Sequence, residues 1–577
     1  MKKLMSFIVL SLVLILISCQ TLGDSPGEDT IIFEVADDIE YVIGEERPIY
    51  LEYVTAKDIN NITFIQFVSY DDSLVNYEVE GEYQVDFELN YEQYHKTITV
   101  DVRVVLTSTI INLDLNIYYI NDFHGAVLNN EEQIGLSRIG NLIMDEKNNN
   151  PDSTLFLAGG DILQGQLISN WYDGASTIEL LNDMELDAFV AGNHEFDWGV
   201  DVLTQYFNGQ SNLQANFPLL GANVYEKSSN EMVDGFEPYT IIEKSGVKVA
   251  VIGTVGYGLE SSIAYARIKD YKFIDPVERV MYFSHKARTE DDADIVIAIN
   301  HADDDGFNNS IANLKGDYKV DAILNGHTHR YYTRTINNVP VMQSGANGSH
   351  VGHVTLNYDS KQGVYNFTQE NLTQFTEERL NVEQSSIKSK IDNFYNEISG
   401  LYDPIMVSSE SIDKGLLSNY IGKLMQTKFG ADVGLHNAGG TRDTIRNGES
   451  LSYAKLHAIS PFDNTVVLID VTGEELLNAI GSENAYFRAG LSKNNIQMKS
   501  IYKLALNDYI FGAKWFLRDK PAEFTEFTDV TVLDLFVETV ENQSEVYETW
   551  STTLPIMFNQ NISLFAHLIT YSSQIHI

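Results

Sequence analysis

Short, continuous apolar runs that end abruptly in polar or glycine residues dominate the middle of the chain, between about residues 116 and 358. Runs of this kind are typical of strands that are buried on both faces of a sheet. Six runs have this form: 117–120, 154–158, 188–191, 249–252, 295–299 and 322–324. The pattern therefore predicts a layered α/β domain over residues 115–365, with polar residues gathered where the strands end.

The first part of the chain follows a different pattern, in which apolar and polar residues alternate strictly. Residues 83–89 and 97–102 alternate in this way, which places the apolar side chains of each strand on one face. The segment Gly81-Glu82-Tyr83 resembles the closing hairpin of small immunoglobulin-like surface domains. We therefore expect an immunoglobulin-like β-domain over residues 31–110. It carries no candidate chemistry, which favours a spacer or adhesion module, and the sequence does not identify its partner.

Helical spacing appears between the predicted α/β domain and the C-terminal part of the chain. Apolar residues recur every three to four positions from 377 to 399, with neither Gly nor Pro before residue 400. This spacing predicts a linker helix over residues 377–399, within a linker segment of residues 366–403. A second α/β domain is expected over residues 404–545, and residues 546–577 have no clear pattern and stay unassigned.

The N-terminus has the composition of an export segment. Two lysines at positions 2 and 3 precede an apolar run from 4 to 17, which is too short to span a bilayer comfortably. The segment Leu16-Ile17-Ser18-Cys19 resembles the lipobox of bacterial lipoproteins. This resemblance implies a signal peptide over residues 1–18, lipidation of Cys19, a linker over 19–30 and a location on the extracellular face of the cell membrane. The alternative is a buried N-terminal segment with a chance cysteine.

The charge of the chain limits its partners. Its 577 residues include 38 Lys and Arg against 82 Asp and Glu, which gives a net charge of -44. Charge of this sign repels nucleic-acid polymers and anionic membrane surfaces, so membrane contact is expected only through the lipid anchor. Any phosphorylated substrate must be held by local cations or metal ions. The single cysteine excludes an internal disulfide framework.

The residues that follow the predicted strands form a set of metal-ligand types. Each of them alone is an ordinary loop residue, but five separate strand ends carry one or more. Carboxylate, imidazole and amide ligands without a thiolate suit two divalent ions, such as Zn, Mn, Co or Mg. Two such ions would hold the attacking and leaving oxygens of a phosphoryl group. The set comprises Asp122, His124, Asp161, Asn193, His301, His327 and His329.

These residues lie in motifs that resemble those of calcineurin-like metallophosphoesterases, in particular the bacterial 5'-nucleotidase family. The motifs are Asn121-Asp122-Phe123-His124-Gly125, Gly159-Gly160-Asp161, Gly192-Asn193-His194-Glu195-Phe196-Asp197-Trp198-Gly199, Asn300-His301 and Gly326-His327-Thr328-His329. The resemblance implies that Asp161 bridges two metal sites. One site would comprise Asp122, His124, Asp161 and His329, and the other Asp161, Asn193, His301 and His327.

The same resemblance implies that His194 and Asp197 form a catalytic dyad. An Asp three residues further on can accept one imidazole N–H and keep the ring protonated. His194 would then stabilise the charge that develops on the phosphate or on the leaving oxygen. The alternative is that His194 is a further metal-site histidine, or a residue that contacts the ligands without binding the metal.

Motifs in the second α/β domain resemble the C-terminal domain of the same family. They are Asn437-Ala438-Gly439-Gly440-Thr441-Arg442 and Pro461-Phe462-Asp463-Asn464. The resemblance implies a nucleotide pocket in which Arg442 holds phosphate or ribose and Phe462 stacks on the base, with Asn464 and Tyr509 as further contacts. Without it, Phe462 would be a core residue and Arg442 an exposed loop cation.

The chain departs from the family pattern after Tyr509. There the family usually has Gly-Gly-Asp, whose carboxylate binds ribose, whereas this chain reads Ile510-Phe511-Gly512-Ala513-Lys514-Trp515. The chain also has no Arg between Arg379 and Arg442, where relatives place two. Lys514 is a candidate for replacement charge toward a more phosphorylated ligand.

These features together predict a layered α/β metallophosphoesterase β-sandwich flanked by helices. A C-terminal α/β nucleotide-binding domain and the N-terminal β-domain complete the expected fold. The expected function is that of a two-metal phosphohydrolase that removes phosphate from extracellular nucleotides in nucleotide catabolism. One alternative is a 2',3'-cyclic nucleotide phosphodiesterase or nucleotide-sugar hydrolase, and another is a non-catalytic surface binding lipoprotein.

Overall fold

The structure is a computed structural model that describes residues 31–36, 39–58, 60–106, 110–481 and 483–558. The chain forms two units, which are separated in sequence between Ile110 and Ile111. The predicted signal peptide, Cys19 and the 19–30 linker lie outside the described residues. No helix in the described ranges has the length and apolar character that a membrane crossing requires.

The described residues of the N-terminal unit form six strands in two sheets. A two-stranded antiparallel sheet pairs β1 with β3, and a four-stranded sheet has the order β2-β6-β5-β4. The alternation predicted from the sequence is present, because Val85, Phe87 and Leu89 are buried whereas the residues between them are exposed. The strands are β1 (Ile31–Val35), β2 (Ile39–Val42), β3 (Val54–Asp58), β4 (Val68–Asp71), β5 (Gly81–Tyr91) and β6 (Tyr94–Val105).

The second unit begins with two six-stranded sheets that pack face to face. Their orders are β10-β9-β8-β7-β19-β20 and β12-β13-β15-β16-β18-β17. The elements of this domain are β7 (Asn112–Ile120), α1 (Leu136–Asn149), β8 (Thr154–Gly159), α2 (Leu167–Asn170), α3 (Ala175–Asp183), β9 (Ala188–Val190), α4 (Val200–Thr204), β10 (Leu219–Leu220), β11 (Val224–Glu226), β12 (Tyr239–Lys244), β13 (Val247–Val255), α5 (Tyr265–Ile268), β14 (Tyr271–Phe273), α6 (Pro276–Glu290), β15 (Ile295–His301), α7 (Asp305–Ala312), β16 (Ala322–Asn325), β17 (Tyr331–Ile336), β18 (Val339–Ser344), β19 (Val351–Asp359), β20 (Gly363–Leu372) and α8 (Ser385–Ile398).

The continuous apolar runs arise because these strands are covered on both faces. Ile117 and Tyr119 of β7 pack between the two sheets. The alternate residues Tyr118 and Ile120 pack on the outer face, against the core to which α1 and α3 contribute. Helices α6 and α7 contribute to a core on the outer face of the second sheet. The layered β-sandwich flanked by helices that the sequence predicts is therefore confirmed.

The predicted linker helix is shorter than expected, and it packs against the preceding domain. Helix α8 begins at Ser385, because the side chain of Gln384 accepts the backbone N–H groups of Ser386 and Ile387 and so caps it. Residues 378–381 form a separate single turn. Ile387 and Ile391 are buried in the core on which α1 packs. Strand β20 also continues to residue 372, beyond the expected end of the domain at 365.

The C-terminal domain is a five-stranded sheet of order β25-β22-β26-β24-β27 with helices on both faces. Its elements are β21 (Met406–Val407), α9 (Lys414–Phe429), β22 (Val433–His436), β23 (Ser450–Leu451), α10 (Tyr453–Ile459), β24 (Thr465–Thr472), α11 (Gly473–Ile480), β25 (Asn484–Phe487), β26 (Ile501–Asn507), α12 (Asp508–Ala513), α13 (Trp515–Arg518), β27 (Thr525–Thr531) and α14 (Val532–Ser544).

The segment after residue 545, which the sequence left unassigned, contributes to this domain. Trp550 is fully buried, and its ring lies 5.6 Å from that of Tyr420 and 6.1 Å from that of Phe536. Its backbone N–H donates to the carbonyl of Val407. Periodicity could not reveal this contribution, because residues 546–558 form neither a helix nor a regular strand and the largest contact comes from one isolated tryptophan.

Candidate functional site

The candidate metal ligands lie where strands of both sheets end. Strands β7, β8 and β9 run parallel in one sheet, and β15 and β16 run parallel in the other, so their C-terminal ends meet at one edge of the sandwich. His301 is the last residue of β15, and the other candidates follow their strands within a few residues. The structure thus brings together all seven residues that the sequence singled out.

Five of these seven residues have a left-handed backbone. Residues other than glycine rarely adopt positive φ, and each instance costs about 1 kcal/mol or more. The surrounding hydrogen bonds hold the conformation. For example, the backbone N–H of His327 donates to the carboxylate of Asp122 at 2.8 and 3.0 Å. The five values of φ are 48° for Asp122, 52° for His124, 54° for Asp161, 76° for His327 and 58° for His329.

The first group of candidate ligands comprises Asp122, His124 and His329, whose ligand atoms all lie within 4.8 Å of one another. Nε2 of His329 lies 3.1 Å from Nε2 of His124 and 3.4 Å from Oδ1 of Asp122. The Nδ1–H of His124 donates to the carbonyl of Gln164 at 3.0 Å, because a carbonyl oxygen can only accept. With its proton on Nδ1, the neutral ring directs the lone pair of Nε2 toward the other ligand atoms of the group.

The second group comprises Asp161, His301 and His327, again within 4.8 Å. Asn193 adjoins it, with Oδ1 2.9 Å from Nδ1 of His327. The Nδ1–H of His301 donates to the carbonyl of Gly159 at 2.8 Å. Its Nε2 atom is buried without a hydrogen-bond partner and lies 3.1 Å from Oδ2 of Asp161. A proton or a metal ion between these two atoms satisfies the contact. Burial lowers the pKa of His301, but the carboxylate of Asp161 outweighs that effect and raises it to about 10.

The donor set fits divalent metal ions. Nitrogen and oxygen ligands without sulfur match borderline or hard cations. Burial, together with the carboxylate of Asp161 and against the lowering effect of His301, raises the pKa of Asp122 to about 7. Two buried carboxylates therefore destabilise each other in the absence of further positive charge. Asp161 belongs to the second group of ligand atoms in this structure. Its role as a bridge between two metal sites stays a prediction.

His194 and Asp197 are hydrogen bonded through Nδ1 and Oδ2 at 2.6 Å. A single helical turn begins at His194, and this turn brings the side chain three residues further on back to the ring. Burial lowers the pKa of His194, but the carboxylates of Asp197 and Asp161 outweigh that effect and raise it to about 9. The spacing predicted from the sequence therefore gives the expected contact between these two residues.

Glu195 is a further residue of this site, and the sequence argument gave it no role. Its carboxylate is fully buried and accepts the backbone N–H groups of Asp161, Ile162 and Gly192 at 2.7 Å and that of Leu163 at 3.2 Å. It thereby ties together the loops that follow β8 and β9. The only sequence feature that pointed to Glu195 was its position, directly after Asn193 and His194 and before the apolar Phe196.

The dyad opens into a cavity of about 230 Å³ between the two-sheet domain and the C-terminal domain. The ring of Phe462 stacks on that of His194 at 5.5 Å and 22°. The guanidinium of Arg442 lies 5.8 Å from the ring of Phe462. Asn464 and Tyr509 also line the cavity, so the structure brings the four predicted substrate residues together.

The cavity also includes residues that the sequence argument missed, and it excludes one that it proposed. Arg267 and Asp508 both line the cavity. Lys514 does not belong to the lining, and its Nζ lies 4.0 Å from Glu483. Arg267 could not be found from the sequence, because it lies on the short helix α5, far along the chain from every ligand motif.

Two family models match the chain. The calcineurin-like phosphoesterase model matches residues 115–331, and the model of the 5'-nucleotidase C-terminal domain matches residues 398–492. A cell wall protein of Listeria monocytogenes is 24% identical over 525 residues, which are 74% of this chain and 66% of that protein. A 5'-nucleotidase of Vibrio parahaemolyticus is 27% identical over 426 residues, which are 63% of this chain and 73% of that protein.

The chain covers less than two thirds of several relatives, including 27% and 33% of two Bacillus subtilis proteins. The crystal structure of a 5'-nucleotidase precursor from Thermus thermophilus has the same fold, with a TM-score of 0.65 and 19% identity. That similarity covers 77% of this chain and 98% of the other. The chain therefore carries a region of the calcineurin-like phosphoesterase family at residues 115–331, followed by a 5'-nucleotidase C-terminal domain at residues 398–492.

Proposed function

We propose that this chain is a metal-dependent phosphohydrolase that removes phosphate from extracellular nucleotides. One observation carries the proposal. The ring of His194 lies 5.4 Å from that of His124 and 5.5 Å from that of Phe462. A single imidazole therefore adjoins both a group of metal-ligand side chains and the wall of a pocket with an aromatic ring. This arrangement suits a phosphate ester whose alcohol part carries a flat, aromatic base.

Two divalent ions are the cofactors of this proposal. Asp122, His124 and His329 would hold one ion, and Asn193, His301 and His327 would hold the other, with Asp161 contributing to both. When bound, the ions supply positive charge that polarises a phosphoryl group and lowers the pKa of water.

The protein's own residues would orient the phosphate and donate a proton to the oxygen on which negative charge develops. Asp197 holds the Nδ1–H of His194, which leaves Nε2 available for the substrate. With its pKa raised to about 9 by the neighbouring carboxylates against the effect of burial, His194 is protonated at neutral pH. It can therefore donate a hydrogen bond or a proton to the oxygen on which negative charge develops.

The pocket would select the remainder of the substrate. Phe462 and Tyr509 offer aromatic faces for a base, whereas Arg442 and Asn464 offer polar contacts for phosphate or ribose. Arg267 adds a second guanidinium to the lining. Because two guanidinium groups suit two phosphate groups, a nucleotide-sugar or other diphosphate substrate is the second candidate.

We also propose that the protein is attached to the outer face of the membrane by a lipid on Cys19. The motif around Cys19 supports this location, as does the relative that is named a cell wall protein. Replacing Cys19 with Ala should release the protein from the membrane fraction. An unchanged membrane fraction would contradict the anchor.

A phosphate-release screen tests the proposed activity. The chelated protein is assayed with nucleotides, 2',3'-cyclic nucleotides and nucleotide sugars after each divalent cation is restored. We expect release from nucleoside monophosphates, abolition by chelation and recovery with one or more cations. The His194→Ala variant should lose activity. The His285→Ala variant should not, because His285 lies on α6 and its ring contacts that of Tyr318. Nucleotide binding without any release would instead support a non-catalytic binding protein.

A further inference from the structure

Two amide side chains of the phosphoesterase domain, one buried and one half-buried, hold the segment of the C-terminal domain that carries Phe462. Gln164 donates from Nε2 to the carbonyl of Pro461 at 3.0 Å. Asn170 donates from Nδ2 to the same carbonyl, also at 3.0 Å. Gln164 is 1% exposed, so water does not compete for the bond. One carbonyl oxygen therefore receives two donors from the opposite domain, through both of its lone pairs.

The loop that carries these donors is itself fixed to a candidate metal ligand. The carbonyl of Gln164 accepts the Nδ1–H of His124, and the backbone N–H of Gln166 donates to the carbonyl of His124 at 2.8 Å. Asn170 accepts the backbone N–H of Gly165 through Oδ1 at 2.7 Å, which orients its amide so that Nδ2 faces Pro461. The positions of His124 and Pro461 are therefore linked through one short loop.

The segment held by these amides positions two residues that line the substrate pocket, Phe462 and Arg442. Phe462 follows Pro461 directly and stacks on His194. The backbone N–H of Arg442 donates to the carbonyl of Ile459 at 2.8 Å, so Arg442 is held by the same segment. A shift of Pro461 would therefore move both the aromatic face and the guanidinium relative to the dyad.

We propose that Gln164 and Asn170 are positioning residues that set the distance between Phe462 and the reacting centre and so produce a preference for nucleotides. This inference rests on the proposed function. Neither amide lines the cavity, so neither contacts the substrate. They act by fixing the Pro461–Phe462 segment to the loop of His124. A small phosphate ester that does not reach Phe462 does not need them.

Matched substitutions separate this role from a general structural one. Gln164→Met keeps the length of the side chain but removes the donor, and the main-chain contact with His124 remains. Asn170→Asp keeps the acceptor for Gly165 and removes the donor to Pro461. Gln166→Met is the control, because Gln166 lies in the same loop but donates to Gln133 at 3.0 Å and not to the C-terminal domain.

The first measurement is hydrogen–deuterium exchange of peptides that span residues 459–464, made on the full chain. We expect faster exchange in Gln164→Met and Asn170→Asp than in the wild type and in Gln166→Met. The second is the ratio of kcat/KM for a nucleoside monophosphate to that for glycerol 3-phosphate, which has no aromatic ring to stack on Phe462. Loss of one net hydrogen bond should lower this ratio about three- to tenfold, mainly through KM for the nucleotide.

Unchanged exchange in both variants would overturn the proposal, as would equal loss of both activities. A wild-type protein without any preference for the nucleotide would contradict the proposed function instead. The exchange measurement would still decide whether the two amides hold the segment.

Discussion

The Oδ1 atom of Asp161 accepts a hydrogen bond from the backbone N–H of His194 at 2.8 Å. The other carboxylate oxygen of Asp161 lies 3.1 Å from Nε2 of His301. One side chain therefore fixes the start of the turn that carries the dyad and also faces the second group of ligand atoms. Asp161 therefore links the metal ligands to the dyad, so that a displacement of its carboxylate would shift both.

Asp161→Asn should separate the two contacts. The substituted side chain can still accept from His194, but it lacks the negative charge that a cation beside His301 requires. We expect metal retention after desalting and phosphate release to fall by at least about 100-fold, since even residues that only support a ligand contribute about 10–100-fold. Asp114→Asn, on the exposed side of β7, should change neither. Full metal content in Asp161→Asn would contradict the assignment.

Glu195→Gln should loosen the loops that follow β8 and β9. The glutamine amide would face some of the four backbone N–H groups that the carboxylate accepts, and two donors repel each other. Hydrogen bonds to a charged group contribute about 1.5–3 kcal/mol each. We expect the free energy of unfolding, measured in urea, to fall by about 2–4 kcal/mol. The exposed Glu185→Gln is the control, and equal stability of both variants would argue against this role.

Trp550→Ala should destabilise the C-terminal domain. Trp550 is fully buried against Tyr420 and Phe536, and truncation of a buried tryptophan costs about 3–5 kcal/mol. Trp515, which is 67% exposed, provides a matched control, because Trp515→Ala should change stability by less than about 0.5 kcal/mol. Thermal unfolding followed by calorimetry measures both variants. Similar losses in the two would place the tryptophan at 550 outside the core.

The stability of the protein should decrease between pH 7.5 and pH 5 in part through His457. Burial lowers its pKa from 6.5 to about 4, so the unfolded chain binds the proton more readily than the folded one. The stabilisation is therefore complete above pH 6.5 and is lost as the pH falls toward 4. Protonation would also place a second donor against Nδ2 of Asn170, which lies 3.2 Å from Nε2 of His457.

The His457→Gln variant isolates this effect because glutamine does not titrate in that range. Its loss of unfolding free energy from pH 7.5 to pH 5 should be smaller than that of the wild type by on the order of 2 kcal/mol. Urea titrations at the two pH values provide the comparison. Equal pH dependence in both proteins would show that His457 is not buried in its neutral form.

The sequence could predict the candidate ligands because each follows a buried strand within a few residues. Apolar runs such as 295–299 mark the strand, and parallel strands bring their C-terminal ends to one edge whatever the loop lengths. The contact between His194 and Asp197 was predictable for a similar reason, since it depends on a spacing of three residues in one turn. Local patterns therefore sufficed for this part of the site.

Contacts between domains could not be predicted in the same way. Gln164 and Pro461 are separated by 297 positions, and neither residue type marks its partner. Arg267 reaches the cavity only because α5 packs beside it. The start of α8 was misplaced because residues 377–383 have helical spacing, but Gln384 caps the helix after them and Val382 is 55% exposed. These features depend on tertiary packing, which periodicity does not encode.

Metal stoichiometry is the most direct test of the central claim that the two groups of side chains bind a pair of ions. The protein is chelated, dialysed against Mn²⁺ and then washed, and its manganese content per chain is measured by mass spectrometry. The expected result is two ions per wild-type chain and a clear loss in the His301→Ala variant, whereas His285→Ala keeps both. A wild-type chain that retains no ion, or a His301→Ala variant that retains two, would contradict the claim.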